Sequence, residues 1–251
     1  MDGYVVDTRH AAYGARPRVK VLVIHYTAED FPSSLATLTD QEVSAHYLIP
    51  ATPPLYSKQP TVLRLVPESE LAWHAGISFW RGATRLNDTS VGIELENPGY
   101  HRTADGRVWY PFSTAQMQAL RPLMRDIVFR YNIQPQDIVG HSDIAPQRKQ
   151  DPGPLFPWHW LYQQGIGAWP NADRVRYYLA GRAPEQLTDA AYLLQLLARY
   201  GYEVTSTMTT KQQQRVIAAF QMHFRPANYS GIADAESEAI AAALLEKYIP
   251  N

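Results

Sequence analysis

Three residues of this chain, His25, His141 and Asp151, have the side-chain types and the local contexts of metal ligands. His25 follows the apolar run at residues 19–24, which predicts a buried strand, so its imidazole is expected where the strand ends. His141 follows a second strand-like run, and Asp151 stands directly before Pro152. Two imidazoles and a carboxylate leave one position of a tetrahedral Zn²⁺ open, as in catalytic zinc sites. The pattern predicts a zinc site at which water ionises near neutral pH and becomes a nucleophile.

The ligand types alone leave alternatives open. A histidine at a strand end is more often a hydrogen-bonded structural group than a metal ligand. Asp143, two residues after His141, is a rival carboxylate. The chain contains no cysteine, so a metal must be held by histidine and carboxylate. A structural zinc is a further alternative, but structural sites usually close with four protein ligands, often including cysteine.

Six short motifs occur in order along the chain. They are HYT at residues 25–27, VSAHYLI at 43–49, WHAG at 73–76, NDTSVGIELEN at 87–97, GHSDIAPQRK at 140–149 and DPGPLFPW at 151–158. Together they closely resemble the zinc-dependent N-acetylmuramoyl-L-alanine amidases of the AmpD/AmiD type, which are related to phage lysozyme-like amidases and to peptidoglycan recognition proteins. The resemblance covers residues 18–165 and is closest to the AmiD branch.

This resemblance implies a function. The bond cleaved would be the amide between the lactyl carbonyl of N-acetylmuramic acid, or of its anhydro form, and L-alanine, for cell-wall turnover or recycling. The implied cofactor is Zn²⁺ on His25, His141 and Asp151, and the implied partner is peptidoglycan or a muropeptide. The alternative is a peptidoglycan recognition protein that has lost catalysis. The presence of all three ligands together with Glu94 and Lys149 favours the enzyme.

Glu94 and Lys149 are the predicted catalytic residues. Side chains alternate between two faces along the predicted strand at residues 90–95, so Glu94 and Glu96 share one side. The family motif assigns the general-base role to Glu94, which would take a proton from water and deliver it to the leaving amine, and Glu96 is the nearby competitor. Lys149 would place an ammonium near the developing oxyanion, a role that the resemblance supports.

Three further residues are predicted to contact the substrate. Trp73 and Arg85 could line a groove that stacks a sugar or binds a peptide carboxylate. His74 could bind substrate or orient a catalytic group. Packing at the surface, or hydrogen bonding beside an aromatic ring, explains each of these residues equally well.

The order of strand-like and helix-like segments predicts an α/β fold, with a mixed central sheet flanked by helices. Strands are predicted at residues 19–24, 45–49, 62–66, 90–95 and 137–140, and helices at 33–38 and 114–131. Pro122 predicts a kink in the long helix or a shorter helix. Residues 1–180 are predicted to form the catalytic domain.

A second, smaller domain is predicted at residues 185–251. Amphipathic segments at residues 188–200, 209–223 and 235–248 predict a three-helix core. Parts of these segments resemble the peptidoglycan-binding module found beside many wall hydrolases. The alternative is a packing appendage that binds no ligand.

The composition excludes other classes of protein. Hydrophobic residues make up 45% of the 251-residue chain, which is enough for a buried core. A formal net charge of −1 without a run of Lys or Arg argues against nucleic acid, and no apolar stretch is long enough to span a bilayer. The resemblance implies a monomer in the bacterial periplasm, held at the outer membrane by a lipidated N-terminal segment that this sequence lacks. A cytoplasmic recycling amidase is the alternative.

Overall fold

The protein is described by a computed structural model of residues 3–250. In this part of the chain the strands are β1 (Val21–Tyr26), β2 (Tyr47–Ile49), β3 (Leu55–Tyr56), β4 (Gln59–Pro60), β5 (Leu63–Arg64), β6 (Phe79–Trp80), β7 (Ala83–Thr84), β8 (Ser90–Leu95), β9 (Tyr100–Thr103), β10 (Gly106–Trp109) and β11 (Ile138–Gly140). The α-helices are α1 (Phe31–Leu38), α2 (Thr114–Tyr131), α3 (His141–Ile144), α4 (Trp158–Gln163), α5 (Ala172–Leu179), α6 (Ala190–Tyr200), α7 (Thr210–Phe224) and α8 (Ala235–Tyr248).

Five strands form a central sheet in the order β11-β1-β8-β2-β5. The first four are parallel to their neighbours, and β5 is antiparallel to β2. The predicted α/β fold with a mixed central sheet is therefore confirmed. The carboxyl ends of parallel strands meet at one edge of a sheet, which is where α/β proteins build their sites. His25 near the end of β1 pairs in register with Glu94 near the end of β8, and His141 directly follows β11.

Both faces of the sheet are buried, as is typical of parallel sheets. Along β1, Leu22 and Ile24 belong to the hydrophobic cluster that includes Leu120 and Met124 of α2. Residues of β1 and β11 that point the other way pack in a second cluster with the apolar faces of α6, α7 and α8; these are Val21, Val23 and Val139. Because side chains alternate between the two faces of β1, the sheet packs against helices on both sides.

The three predicted C-terminal helices correspond to α6, α7 and α8. Their buried residues lie in the same cluster as those of β1 and β11, so one hydrophobic core extends across the predicted boundary between residues 1–180 and 185–251. The division into two domains remains a prediction.

Pro122 lies within α2, which runs without interruption over eighteen residues, so the expectation of a shorter helix is wrong. Proline removes the hydrogen bond to the carbonyl of Gln118, four residues earlier. Both Pro122 and Gln118 are exposed, so water can satisfy that carbonyl and the helix continues.

None of the helices within residues 3–250 combines the length and the apolar character that crossing a bilayer requires.

Candidate metal centre and active site

His25, His141 and Asp151 converge at the carboxyl edge of the sheet. The Nδ1 atoms of the two histidines lie 3.0 Å apart. Asp151 Oδ2 lies 3.1 Å from Nδ1 of His25 and 3.2 Å from Nδ1 of His141. All three side chains are buried, and together they form a group that could hold a metal ion.

The protonation of His25 follows from a chain of hydrogen bonds behind it. Ser90 donates its hydroxyl proton to the carbonyl of Leu86 at 2.5 Å, so Ser90 Oγ must accept from His74 Nε2 at 2.9 Å. Nδ1 of His74 then accepts from Nε2 of His25, also at 2.9 Å. This assigns the proton of His25 to Nε2 and leaves a lone pair on Nδ1 that faces the cluster.

A backbone carbonyl orients the ring of His141 so that its Nδ1 also faces the other two residues. Its Nε2 lies 3.1 Å from the carbonyl oxygen of Ala75, and a carbonyl can only accept, so Nε2 carries the proton. In the neutral form of the ring, Nδ1 of His141 then presents a lone pair. Metal-bound histidines usually donate their second N–H to such a partner, which fixes the tautomer and the direction of the ring.

The donor set fits a divalent cation. Burial, followed by the proximity of His141, lowers the pKa of His25 to about 4, so its ring is neutral near pH 7. With both rings in the neutral form that binds metals, two nitrogen lone pairs and a carboxylate oxygen face one another with no proton between them. This arrangement is repulsive by itself, and a bound cation offsets the repulsion.

A cavity of about 590 Å³ opens beside the three ligands, and both predicted catalytic residues line it. Glu94 is partly buried, and its Oε2 has no hydrogen-bond partner within residues 3–250. Burial, with the charge of Asp151 second, raises the pKa of Glu94 well above its usual range, while Lys149 acts in the opposite direction. Glu96, the competitor, accepts from the backbone N–H of Ala51 at 2.6 Å and so has a structural partner.

Comparisons with known proteins identify the family of this chain. The family model described as N-acetylmuramoyl-L-alanine amidase matches residues 15–154, more than half of the chain. The chain belongs to the N-acetylmuramoyl-L-alanine amidase family. It is 66% identical over 247 residues to the N-acetylmuramoyl-L-alanine amidase AmiD of Escherichia coli (strain K12), covering 98% of this chain and 90% of that relative.

Two solved structures share the whole fold. A complex of E. coli AmiD with anhydro-N-acetylmuramic acid-L-Ala-D-γ-Glu-L-Lys is 65% identical, with a TM-score of 0.98 over 100% of this chain and 98% of that one. Pseudomonas aeruginosa AmpDh3 in complex with an anhydromuramic pentapeptide is 40% identical, with a TM-score of 0.89 over 99% of each chain. The predicted family and enzyme class are confirmed, and the alternative of a non-catalytic recognition protein is set aside.

Asp143, the alternative to Asp151 as the carboxylate ligand, lies outside the group formed by His25, His141 and Asp151. One of its carboxylate oxygens accepts from the backbone N–H of Gly140 and from Nδ1 of His223, both at 2.8 Å. The other accepts from the hydroxyl of Tyr202 at 2.6 Å. Asp143 is buried and directed at the C-terminal helices, so it anchors α3, whose first residue is His141, to α7 and to the segment that follows α6.

We expect Tyr202→Phe to lower the free energy of unfolding by about 1.5–3 kcal/mol, because the variant removes a buried hydrogen bond to a charged group. Tyr200→Phe is the matched control. Tyr200 lies in the same cluster, and its hydroxyl makes no hydrogen bond within residues 3–250. Urea titration of both variants measures the difference. Equal stability of the two variants would show that the Tyr202 bond does not hold α3 in place.

The residues predicted to contact substrate lie in three different environments. Trp73 lines the cavity with 53% of its surface exposed. His74 is buried, and both of its ring nitrogens are used by His25 and Ser90. Arg85 does not line this cavity. Its left-handed backbone (φ 53°) directs an exposed guanidinium toward Asp88, 3.3 Å away.

Sequence reasoning missed the chain from Leu86 through Ser90 and His74 to His25. One signal could have indicated it, because glycine inside a strand often marks a close approach. A Cβ on Gly92 of β8 would lie 2.4 Å from Cγ of His74. Glycine at this position is therefore what allows the His74 ring to pack against the sheet beneath the candidate metal ligands.

Sequence reasoning also missed Arg148. Its Nη2 donates to the carbonyls of Ala75 and Ile77 at 3.1 and 2.6 Å. The same Ala75 carbonyl accepts from His141, so Arg148 helps to hold the acceptor that orients a ligand.

If His25 is a metal ligand, Ser90→Ala is expected to weaken metal binding by about 10- to 100-fold, as is typical when a partner of a metal ligand is removed. Without the Ser90 acceptor, the proton of His74 can move to Nδ1, and His25 then loses its acceptor. Ser78→Ala is the control, since Ser78 is also buried but its hydroxyl donates to the carbonyl of Gly76 and not to a histidine. Competitive titration with a zinc chelator measures the affinity. An unchanged affinity for Ser90→Ala would rule out this orienting chain.

Proposed function

We propose that this amidase hydrolyses the bond between N-acetylmuramic acid and L-alanine in muropeptides, including anhydro forms, with zinc held by His25, His141 and Asp151. The observation that carries the proposal is the convergence of two Nδ1 atoms and a carboxylate beside Glu94, whose Oε2 has no hydrogen-bond partner within residues 3–250. The anhydromuramic compounds bound in the related AmiD and AmpDh3 structures support an anhydro-muropeptide substrate.

The donor set supports zinc. Two imidazoles and one carboxylate are a common ligand set of catalytic zinc, which keeps a position open for water or substrate. When bound, zinc supplies Lewis acidity, which favours the ionisation of water and polarises a carbonyl group.

Glu94 is the proposed general base. It lies beside the ligands, because its position on β8 pairs with His25 on β1. Its raised pKa makes it a stronger proton acceptor than an ordinary glutamate. The carboxylate accepts the proton of the attacking water and then donates it to the nitrogen of L-alanine, which leaves as an amine. A bound cation would lower the pKa of Glu94 in part, but the carboxylate would still lie beside the ligands.

Lys149 is the proposed stabiliser of the oxyanion. It is exposed, lines the cavity, and follows α3 on the loop that leads to Asp151. When water adds to the amide, negative charge develops on the former carbonyl oxygen, and an ammonium held in the cavity stabilises that charge more than the neutral ground state.

We expect Lys149→Met to lower kcat by about 100-fold while zinc content and thermal stability stay at the level of the parent, since loss of one oxyanion-stabilising group typically costs about 10²–10³. Lys58→Met is the control, because Lys58 is exposed in the β3–β4 turn and lines none of the cavity. Steady-state turnover of a soluble muropeptide measures the effect. Turnover within about threefold of the parent would remove Lys149 from the mechanism.

Product analysis tests the proposed function. Anhydro-N-acetylmuramic acid-L-Ala-D-γ-Glu-L-Lys, the compound in the AmiD complex, should yield the free sugar acid and an intact tripeptide with L-alanine at its amino terminus. Mass spectrometry distinguishes these products from those of cleavage within the peptide. Peptide cleavage, or no cleavage by the zinc-loaded enzyme, would contradict the proposal.

Two further aspects are proposed. A periplasmic location is supported by the peptidoglycan-derived substrate and is tested by fractionation of the natural host. A role of residues 185–251 in retention on the wall is supported by their resemblance to peptidoglycan-binding modules. Because α6–α8 share a core with the sheet, retention on purified sacculi is best measured with the full chain.

A further inference from the structure

We propose that the β9–β10 hairpin forms a second subsite, in which Arg102 and Arg107 bind a carboxylate of the stem peptide; this inference rests on the proposed function. The hairpin stands at the rim of the catalytic cavity. The subsite would select substrates by their charge and would act on substrate binding rather than on the chemical step.

The two arginines form a cationic pair without an anion. They are directly opposite each other in the antiparallel register of β9 and β10, so both side chains project from the same face. Within residues 3–250, neither guanidinium has an ion pair or a hydrogen bond, and both lie over the ring of Tyr100, at 5.9 and 4.8 Å from its centroid. Opposed like charges destabilise a hairpin, so this pair costs stability unless an anionic group binds between the two side chains.

The pair connects two cavities. Arg102 and Arg107 line the catalytic cavity of about 590 Å³, and they also line an outer groove of about 500 Å³ that reaches Tyr229 near the C-terminal helices. A substrate whose scissile amide lies at the metal centre can therefore extend past both guanidinium groups. Asp105 in the β9–β10 turn also lines the outer groove but makes no ion pair with either arginine in the described part of the chain.

Trp109 fixes the hairpin against the metal centre. Its Nε1–H donates to the hydroxyl of Tyr229 at 2.8 Å. On its other side is Gly153, two residues after Asp151, where a Cβ would lie 2.8 Å from the indole and where φ is +78°. The hairpin is thus packed between the loop that carries Asp151 and the C-terminal region, and these contacts hold both arginines beside the proposed metal centre.

The ligand chemistry follows from the guanidinium groups. Arginine binds carboxylates through paired, charge-assisted hydrogen bonds. A glutamate linked through its γ-carboxyl group, as in the compound bound by AmiD, keeps a free α-carboxylate, and the peptide ends in a second one. Either carboxylate supplies the anion that the pair lacks.

The test compares substrates that differ only in charge. The probe is anhydro-N-acetylmuramic acid-L-Ala-D-γ-Glu-L-Lys, with analogues amidated at the glutamate α-carboxylate, at the C-terminus, or at both. The variants are Arg102→Gln with Arg107→Gln together, and Arg215→Gln as the control, because Arg215 is exposed on α7 and lines neither cavity. We measure kcat and KM for each combination of protein and probe, and the melting temperature of each protein.

We expect KM for the charged probe to be at least about tenfold higher in the double variant than in the parent, which is the usual effect of losing one hydrogen bond to a charged group. Its kcat should stay within about threefold of the parent, its melting temperature should not fall, and KM for the doubly amidated probe should be unchanged. The singly amidated probes identify which carboxylate is bound. An unchanged KM for the charged probe, or an equal rise for the doubly amidated one, would overturn the subsite while leaving the amidase function intact. No cleavage of any probe by the parent would instead refute the proposed function.

Discussion

Asp151→Ala should lose most of its zinc and nearly all of its turnover. The variant removes the only carboxylate among the three proposed ligands and leaves two imidazoles. Loss of a residue that hydrogen-bonds to a metal ligand typically lowers metal affinity by about 10- to 100-fold, and loss of a ligand itself should lower it more. Elemental analysis after dialysis gives the zinc content, and turnover of a soluble muropeptide gives the activity.

Asp126→Ala is the control for this variant, because Asp126 is exposed on α2 and belongs neither to the ligand group nor to the lining of the cavity. It should keep one zinc per chain and the activity of the parent. Full zinc occupancy in Asp151→Ala would refute the ligand assignment. Asp143 would not then be the obvious replacement, since its oxygens are already bonded to Gly140, His223 and Tyr202.

Glu94→Gln should keep its zinc and its fold but lose about 10²- to 10⁴-fold in kcat, the usual contribution of a general acid–base group. Glutamine has nearly the same shape as glutamate, but its amide cannot take the proton from water. Zinc content, melting temperature and kcat of the purified variant measure these three effects.

Glu96→Gln is the matched control, since Glu96 lies on the same strand side but bonds to the backbone of Ala51. We expect it to retain a kcat within about threefold of the parent. A large loss in Glu96→Gln with normal turnover in Glu94→Gln would exchange the two assignments.

The elements around the site could be predicted because their signals are local. Apolar runs located β1, β8 and β11 to within about two residues. His25 and His141 directly follow two of these runs, and Glu94 lies within the third. The period of two along β8 placed Glu94 and Glu96 on one side. It could not separate them, because the difference depends on the N–H of Ala51, a distant residue brought close by the fold.

Other features depend on contacts between distant parts of the chain. Nothing near Asp143 in the sequence indicates that Tyr202 and His223 bind its carboxylate, and nothing near residue 185 shows that α6–α8 pack on β1 and β11. Amphipathic periodicity predicts that a helix buries one face, but not which surface covers it. The side-chain direction of Arg85 was equally inaccessible, because it depends on a left-handed backbone conformation.

Removal and return of the metal test the central claim most directly. The parent enzyme is stripped with a chelator, its zinc content is confirmed as zero, and zinc is added back in steps while the release of the tripeptide is followed by mass spectrometry. We predict no release from the stripped enzyme and a linear recovery that ends at one zinc per chain. Undiminished release from the fully stripped enzyme, or recovery that continues well beyond one zinc per chain, would contradict a single catalytic zinc on His25, His141 and Asp151.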